Sequence, residues 1–169
     1  KSAEIIRKVI LKDYFHPDSK EKFSKYTDTL LYLAARNEHV ENKIRPAILK
    51  KKIVICDRFI DSTLAYQVYG KGVNKNLVDS VHSYILRALK PDLTFVLKVN
   101  LSKALARLKK RKKKNRYDKF SRNFYAKVQD AFVKIAKKNK KRYCILDNSK
   151  DSKKTETAIL KKLIKVLYK

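Results

Sequence analysis

Methionine and tryptophan are absent from the 169 residues, and glycine occurs only at Gly70 and Gly72. A phosphate-binding loop of the GxxxxGK[ST] type needs a glycine pair at that spacing, so no stretch of the chain can form one. Without a methionine the chain does not begin at an initiator, and a piece of a larger protein is expected. The two cysteines, Cys56 and Cys144, stand alone inside apolar runs. Lacking CxxC spacing, they read as reduced, buried thiols and not as a disulfide or zinc ligands. No apolar run approaches the ~18 residues of a membrane span and no signal peptide is visible, so a soluble, cytoplasmic protein is expected. Acid is the remaining shortage, with 16 Asp and Glu against 44 Lys and Arg, a formal charge of +28. Such an excess draws anions: nucleic acid, anionic lipid or phosphorylated metabolites. Yet only ten of those cations are arginine, the better bidentate reader of phosphate, and the lysines are scattered along the chain as on solvated faces.

A hydrophobic share of 44% excludes disorder and is enough for one domain over residues 1–169. Ile5, Ile6, Val9 and Ile10 mark a helix face that stops before Pro17. A second helical pattern runs from Thr27 through Leu30, Leu31, Ala34, Ala35, Val40, Ile44 and Ile48, with Pro46 at a boundary or a first turn. Residues 53–56 are a short, β-rich apolar run and predict a buried strand. Asn74 caps a helix carrying Leu77, Val78, Val81, Ile85 and Leu89. Residues 93–99 and 143–146 predict two more strands. Leu101, Leu105 and Leu108, then Phe124, Val128, Phe132 and Ile135, then Ile159, Leu163, Val166 and Leu167 mark three further helix faces. Between the first two of these lies RKKKNRYDKFSR, charged and weakly periodic, expected to be a mobile loop or lid over about residues 109–122. Alternating strands and helices with buried strands predict an α/β fold on a parallel sheet, whose ligands bind beyond the carboxyl ends of the strands.

At the end of the first predicted strand stands ICDRFIDSTLAYQ, residues 55–67. Each residue has a plain structural use: Asp57, Ser62 or Thr63 as a helix cap, Arg58 paired with Asp61, Tyr66 in the core. Together they are the parts of a nucleoside monophosphate site, with an arginine fork for phosphate, hydroxyl and amide groups for a base edge, and a carboxylate to orient a metal-water network. The stretch fits [DE]-R-[FYH]-x-x-S-[ST]-x-A-Y-Q throughout and resembles thymidylate kinase of the bacterial branch. YLAAR (residues 32–36), RALKPDLTFVLKV (87–99), NRYDKFSRNFYAKV (115–128) and ILDNS (145–149) extend the resemblance over essentially the whole chain.

The resemblance implies a nucleoside monophosphate kinase fold of the P-loop NTPase type, with its phosphate loop and a REPGG-like segment expected before Lys1. The chain by itself is therefore expected to be truncated and inactive. It implies ATP-dependent phosphorylation of dTMP to dTDP, with Mg2+, in a homodimer packed through helices that include the one carrying Tyr32. By position, Arg58 would hold the dTMP phosphate, with Asp57 organising the phosphate and magnesium region. Tyr32 would stack on thymine, Arg36 would bond its O4, Ser62 and Thr63 would face the base edge, and Tyr66 and Gln67 would line the sugar and base. Arg107, Arg111, Asp147 and Asn148 would meet ATP, and Arg111 and Arg116 would be the lid arginines acting in transfer beside Arg58. Lys112, Asn115 and Asp118 depart from the commoner lid residues. Core packing remains open for Tyr32, and an exposed helical charge for Arg36. Two other readings stand beside the kinase: a basic nucleic-acid-binding module centred on residues 109–114, and a related kinase with another monophosphate. Against the first, aromatics are not interleaved with the basic cluster. Specific nucleic-acid or membrane partners are not expected.

Overall fold

Helix α1 (Ser2–Leu11) lies along α2 (Lys25–His39). Ile10 is fully buried between them, and Ser2 near the start of α1 donates to Glu38 near the end of α2 at 2.5 Å, so the pair is antiparallel. The computed structural model describes residues 1–11, 22–112, 115–150 and 153–168; Pro17 and, in the expected lid, Lys113 and Lys114 lie outside the described residues. Ser24 starts α2 by accepting the Thr27 amide at 3.1 Å. The helix then widens into a π-helical stretch, Val40–Ile44, and resumes as α3 (Arg45–Leu49). Pro46 sits in the first turn of α3, as the sequence predicts, where its missing N–H costs no helical bond.

Residues 53–56 correct the reading of a buried strand. They carry no regular structure, and Ile53 and Ile55 are 70% and 89% exposed. A strand exists only through its ladder, and among the described residues no other strand pairs with this run. Asp57 and Arg58 consequently follow an unpaired segment and not a strand end. After them come α4 (Ile60–Thr63), a second π-helical stretch (Leu64–Gly70) and α5 (Lys75–Leu86). Asn74 caps α5 as expected, accepting the amides of Asn76 and Leu77 at 2.8 and 3.3 Å. Val40, Ile44 and Leu86 form a core against which Cys56, Phe59, Ile60, Ile85 and Leu89 pack. Arg45 closes the far end of α5 by donating to the carbonyls of Ile85 and Leu86, both at 3.0 Å.

Both glycines are used. Gly72 has φ +67°, and a Cβ on Gly70 would meet the Phe124 ring at 2.7 Å, so no larger residue fits there without a shift. Phe124 belongs to α7 (Arg122–Lys137), which follows a short 3-10 turn, Arg116–Lys119.

Contacts divide the chain into two compact units, Lys1–Lys90 with Lys113–Ala131, and Pro91–Lys112 with Phe132–Lys169. The second unit holds the sheet found among the described residues: β1 (Thr94–Lys98) and β2 (Tyr143–Asp147), parallel, in register from Thr94 opposite Tyr143 to Lys98 opposite Asp147. Helix α6 (Leu101–Lys109, capped by Asn100) follows β1 and α8 (Lys153–Leu167) follows β2; the segment between the strands, with α6 and α7, is the crossover a parallel pair requires. On α8, Ile159 and Leu163 are half-buried as the periodicity predicts, whereas Val166 and Leu167 are exposed, so the apolar face stops short of the helix end.

Candidate nucleotide site

Tyr32 and Arg36 stand one helical turn apart on α2 and therefore share a face. The Arg36 guanidinium donates to Thr63 Oγ1 at 2.9 Å and lies 5.1 Å from the centre of the Phe59 ring. Burial pulls its pKa down to about 10, opposed only in part by Cys56 and Asp61, so it stays charged at neutral pH. Its Nε is buried without a hydrogen-bond partner. A buried donor beside a bonded one is what a base carbonyl would satisfy, which removes the reading of Arg36 as an exposed helical charge.

The segment that meets this face runs from Asp57 to Gln67. Asp57 and Arg58 are exposed, Ser62 half-buried, and Thr63 and Gln67 buried. Arg58 has φ +65°, left-handed for a residue with a Cβ, and its guanidinium lies 5.0 Å from the centre of the Tyr66 ring. A non-glycine residue in that conformation stores about 1–2 kcal/mol, which the surrounding contacts must offset. Tyr66 and Gln67 occupy the π-helical stretch, a wide turn that recurs at functional sites. Cys56, half-buried, donates its thiol to the Arg58 carbonyl at 3.4 Å, and burial raises its pKa. Cys144 is also free and half-buried.

Within the expected lid, residues Arg116–Lys119 form a 3-10 turn. Asn115 accepts the Tyr117 amide at 2.9 Å while Asp118 accepts the Asn115 amide at 2.8 Å, a reciprocal cap. This turn delivers Tyr117 into the site. Its ring meets Tyr32 at 5.8 Å and Tyr66 at 6.0 Å, both edge to face, and its hydroxyl accepts from Gln67 at 3.1 Å. Burial drives the Tyr117 hydroxyl pKa far upward, so it is a neutral donor.

Asp28 escaped the sequence reading altogether. It lies one turn before Tyr32 on the same face of α2, and its carboxylate is fully buried. Oδ2 accepts from Lys71 and from the Tyr117 hydroxyl, both at 2.5 Å, and Oδ1 pairs with Arg116. A signal existed: an acid spaced i, i+4 and i+8 from Tyr32 and Arg36 belongs to the buried face. Lys71, between the two glycines, was likewise passed over.

The remaining expected residues belong to the second unit. Arg107 is exposed and donates to the Asn148 carbonyl at 3.5 Å. Hydrogen bonds from Ser149, among them its amide at 2.9 Å, hold the exposed Asp147 carboxyl below its usual pKa. Asp147 borders a shallow cavity of about 320 Å³ with Lys103, Ser149, Lys150, Lys154 and Thr155. Arg111 is exposed. Among the described residues no three His, Cys, Asp or Glu gather as a metal cluster. None of their helices is long and apolar enough to cross a membrane.

Residues 1–159 match the family model described as thymidylate kinase. The thymidylate kinase of Mycoplasma capricolum subsp. capricolum is 40% identical over 152 residues, which cover 88% of this chain and 68% of the relative. That of Wolbachia sp. subsp. Brugia malayi is 38% identical over 163 residues, covering 95% and 74%. The crystal structure of the Ehrlichia chaffeensis thymidylate kinase superposes with a TM-score of 0.64 at 32% identity, covering 89% of this chain and 69% of that one.

Proposed function

The chain belongs to the thymidylate kinase family, and from that premise we propose that the face built from Tyr32, Arg36, Arg58, Thr63, Tyr66 and Gln67 takes the dTMP acceptor in transfer of the ATP γ-phosphoryl group. The fold is the family's nucleoside monophosphate kinase α/β type, and the enzyme converts dTMP to dTDP. The observation that carries the site is the buried Arg36 guanidinium, bonded to Thr63 through one nitrogen and unpartnered at Nε. Such a donor matches the thymine O4 carbonyl and meets another donor in the amino group of cytosine. Tyr32 and Tyr66 supply flat apolar surface for the base and sugar, and Gln67 is held by Tyr117. Arg58, whose guanidinium lies 5.0 Å from the centre of the Tyr66 ring, would take the acceptor phosphate through its fork.

Transfer of this kind depends on positioning and charge neutralisation, with little covalent work for side chains. Arg111 and Arg116 are the arginines proposed to stabilise the transferring group, and Arg107, Asp147 and Asn148 to meet ATP. Magnesium keeps most of its waters and needs only one or two carboxylates besides the substrate phosphates. The exposed Asp57 beside Arg58 fits that demand, and the ion, when bound, would neutralise phosphate charge there. The same reading carries a cytoplasmic location and a homodimer through α2, whose Tyr26 and Leu30 are exposed. The comparisons lend no support to a nucleic-acid-binding module. Coupled measurement of ADP release with dTMP, dUMP, dCMP and AMP, in protein that carries the phosphate loop expected ahead of Lys1, tests the proposal: turnover should favour dTMP, and a flat profile across the four would refute it.

A further inference from the structure

Asp28 is the one fully buried carboxylate among the described residues, and it faces two cations and a phenol. Removing an ionised carboxylate from water is costly unless its oxygens are paired and bonded, and here both are engaged. Its partners come from two places: Lys71 from the loop after the second π-helical stretch, and Arg116 and Tyr117 from the 3-10 turn. Tyr117 is pulled in the same direction by Lys71 and Gln67, each 3.1 Å from its hydroxyl. The Arg116 guanidinium lies 5.5 Å from the ring centres of both Phe23 and Tyr117, so its plane is fixed by rings while one edge is fixed by Asp28. One carboxylate against two cations leaves the cluster with a surplus positive charge.

We propose that Asp28 is a positioning residue for phosphoryl transfer, acting through Arg116. Its carboxylate ties the helix that presents Tyr32 and Arg36 to the acceptor base to the turn that presents Arg116. This rests on the dTMP kinase reading and adds a residue to it. Asp28 is taken up by Lys71, Tyr117 and Arg116, and its part is to set the direction of a guanidinium that must neutralise charge. Groups that act as one unit are grossly non-additive when removed together.

The decisive measurement, made in protein that carries the phosphate loop expected ahead of Lys1, is kcat at saturating dTMP and ATP for the wild type, Asp28→Asn, Arg116→Ala and the double variant. Asp28→Asn should lower kcat by roughly tenfold or more, yet by less than about twofold when Arg116 is already alanine. Losses that multiply, or a wild-type kcat for Asp28→Asn, would overturn the proposal. A merely structural role would lower the melting temperature of both single variants and leave the two effects on kcat independent. If Asp28→Asn does not fold, Asp28→Glu keeps the charge and shifts it by one bond. It must then show the same dependence on Arg116, and its failure to do so overturns the proposal equally.

If the wild-type protein does not turn over dTMP, the functional reading fails, and hydrogen exchange alone decides on Asp28. Its neutralisation, or the shift to Glu, should speed exchange of the amides of residues 116–119 by about tenfold relative to those of α5. Unchanged protection there would end the assignment.

Discussion

In one unit the charges of Asp28, Arg36 and Lys71 are largely withdrawn from water and bonded to neighbouring side chains or set against aromatic faces. In the other unit Lys103, Arg107 and Arg111 stand in solvent, Lys103 at the edge of an open cavity. Both units carry an excess of cations, so the sign of the formal +28 alone does not tell which of them read a ligand. Burial is what separates a cation that reads a ligand from one that keeps a surface solvated. A desolvated guanidinium discriminates because a wrong partner leaves it unpaired, whereas a hydrated ammonium exchanges one water for another.

The contrast is most exposed at Arg36. Arg36→Ala should weaken dTMP binding by about 2–5 kcal/mol and erode the preference for dTMP over dCMP, because a buried charged donor is lost. Arg107→Ala should leave dTMP affinity within about threefold, an exposed side chain contributing little. Calorimetric titration of both variants checks the pair, and equal losses would erase the distinction. His82, on α5, sharpens the comparison through pH. It is 7% exposed, and burial, with a smaller contribution from Arg36, lowers its pKa to about 4, Asp79 opposing in part. The unfolded state therefore binds more protons between about pH 4 and 6.5, and stability should fall by on the order of 3 kcal/mol as pH drops through that window. Urea midpoints at pH 7 and pH 4 measure it, and His82→Leu should flatten the slope.

Arg58 tests whether strain and function coincide. Arg58→Gly should cost roughly 2 kcal/mol in dTMP affinity, the phosphate losing its fork, while raising stability by up to about 1 kcal/mol as the left-handed backbone relaxes. A variant that loses both would show that the conformation is held by something other than the side chain. Smallest of all should be Lys103→Ala and Lys109→Ala, each within about 0.5 kcal/mol in melting experiments, since both are solvated. A larger loss would mean that the open unit uses its charges structurally after all.

Much of this was legible from residues that act locally. Asn74 caps its helix, Pro46 opens one, residues 93–99 contain β1 and residues 143–146 fall one residue short of β2, because caps and runs of apolar, β-prone side chains depend on neighbours in sequence. The convergence of Tyr32, Arg36, Thr63, Tyr66 and Gln67 on one unit came from the motif, while its geometry required α2 and the π-helical turn. Residues 53–56 misled because apolar, β-branched character favours a strand without supplying its partner. NRYD concealed its local geometry for a different reason. Its high charge hid a reciprocal cap at Asn115 and Asp118, and the partner that buries Arg116 lies 88 residues earlier, at Asp28. Nothing local in either segment announces the other.

The π-helical stretch Leu64–Gly70 also carries a lesson about lengths of chain. A π turn holds about one residue more than an α turn, and each residue of an ordinary helix advances the azimuth by about 100°. The stretch thus works as a phase adjuster, setting the direction in which Tyr66 and Gln67 leave the axis independently of the α4 turn that precedes them. Excising a single residue there would preserve a helix of nearly the same length and composition. Its aromatic and amide would then point elsewhere, and a chain unchanged by any measure of hydropathy would have lost its aim.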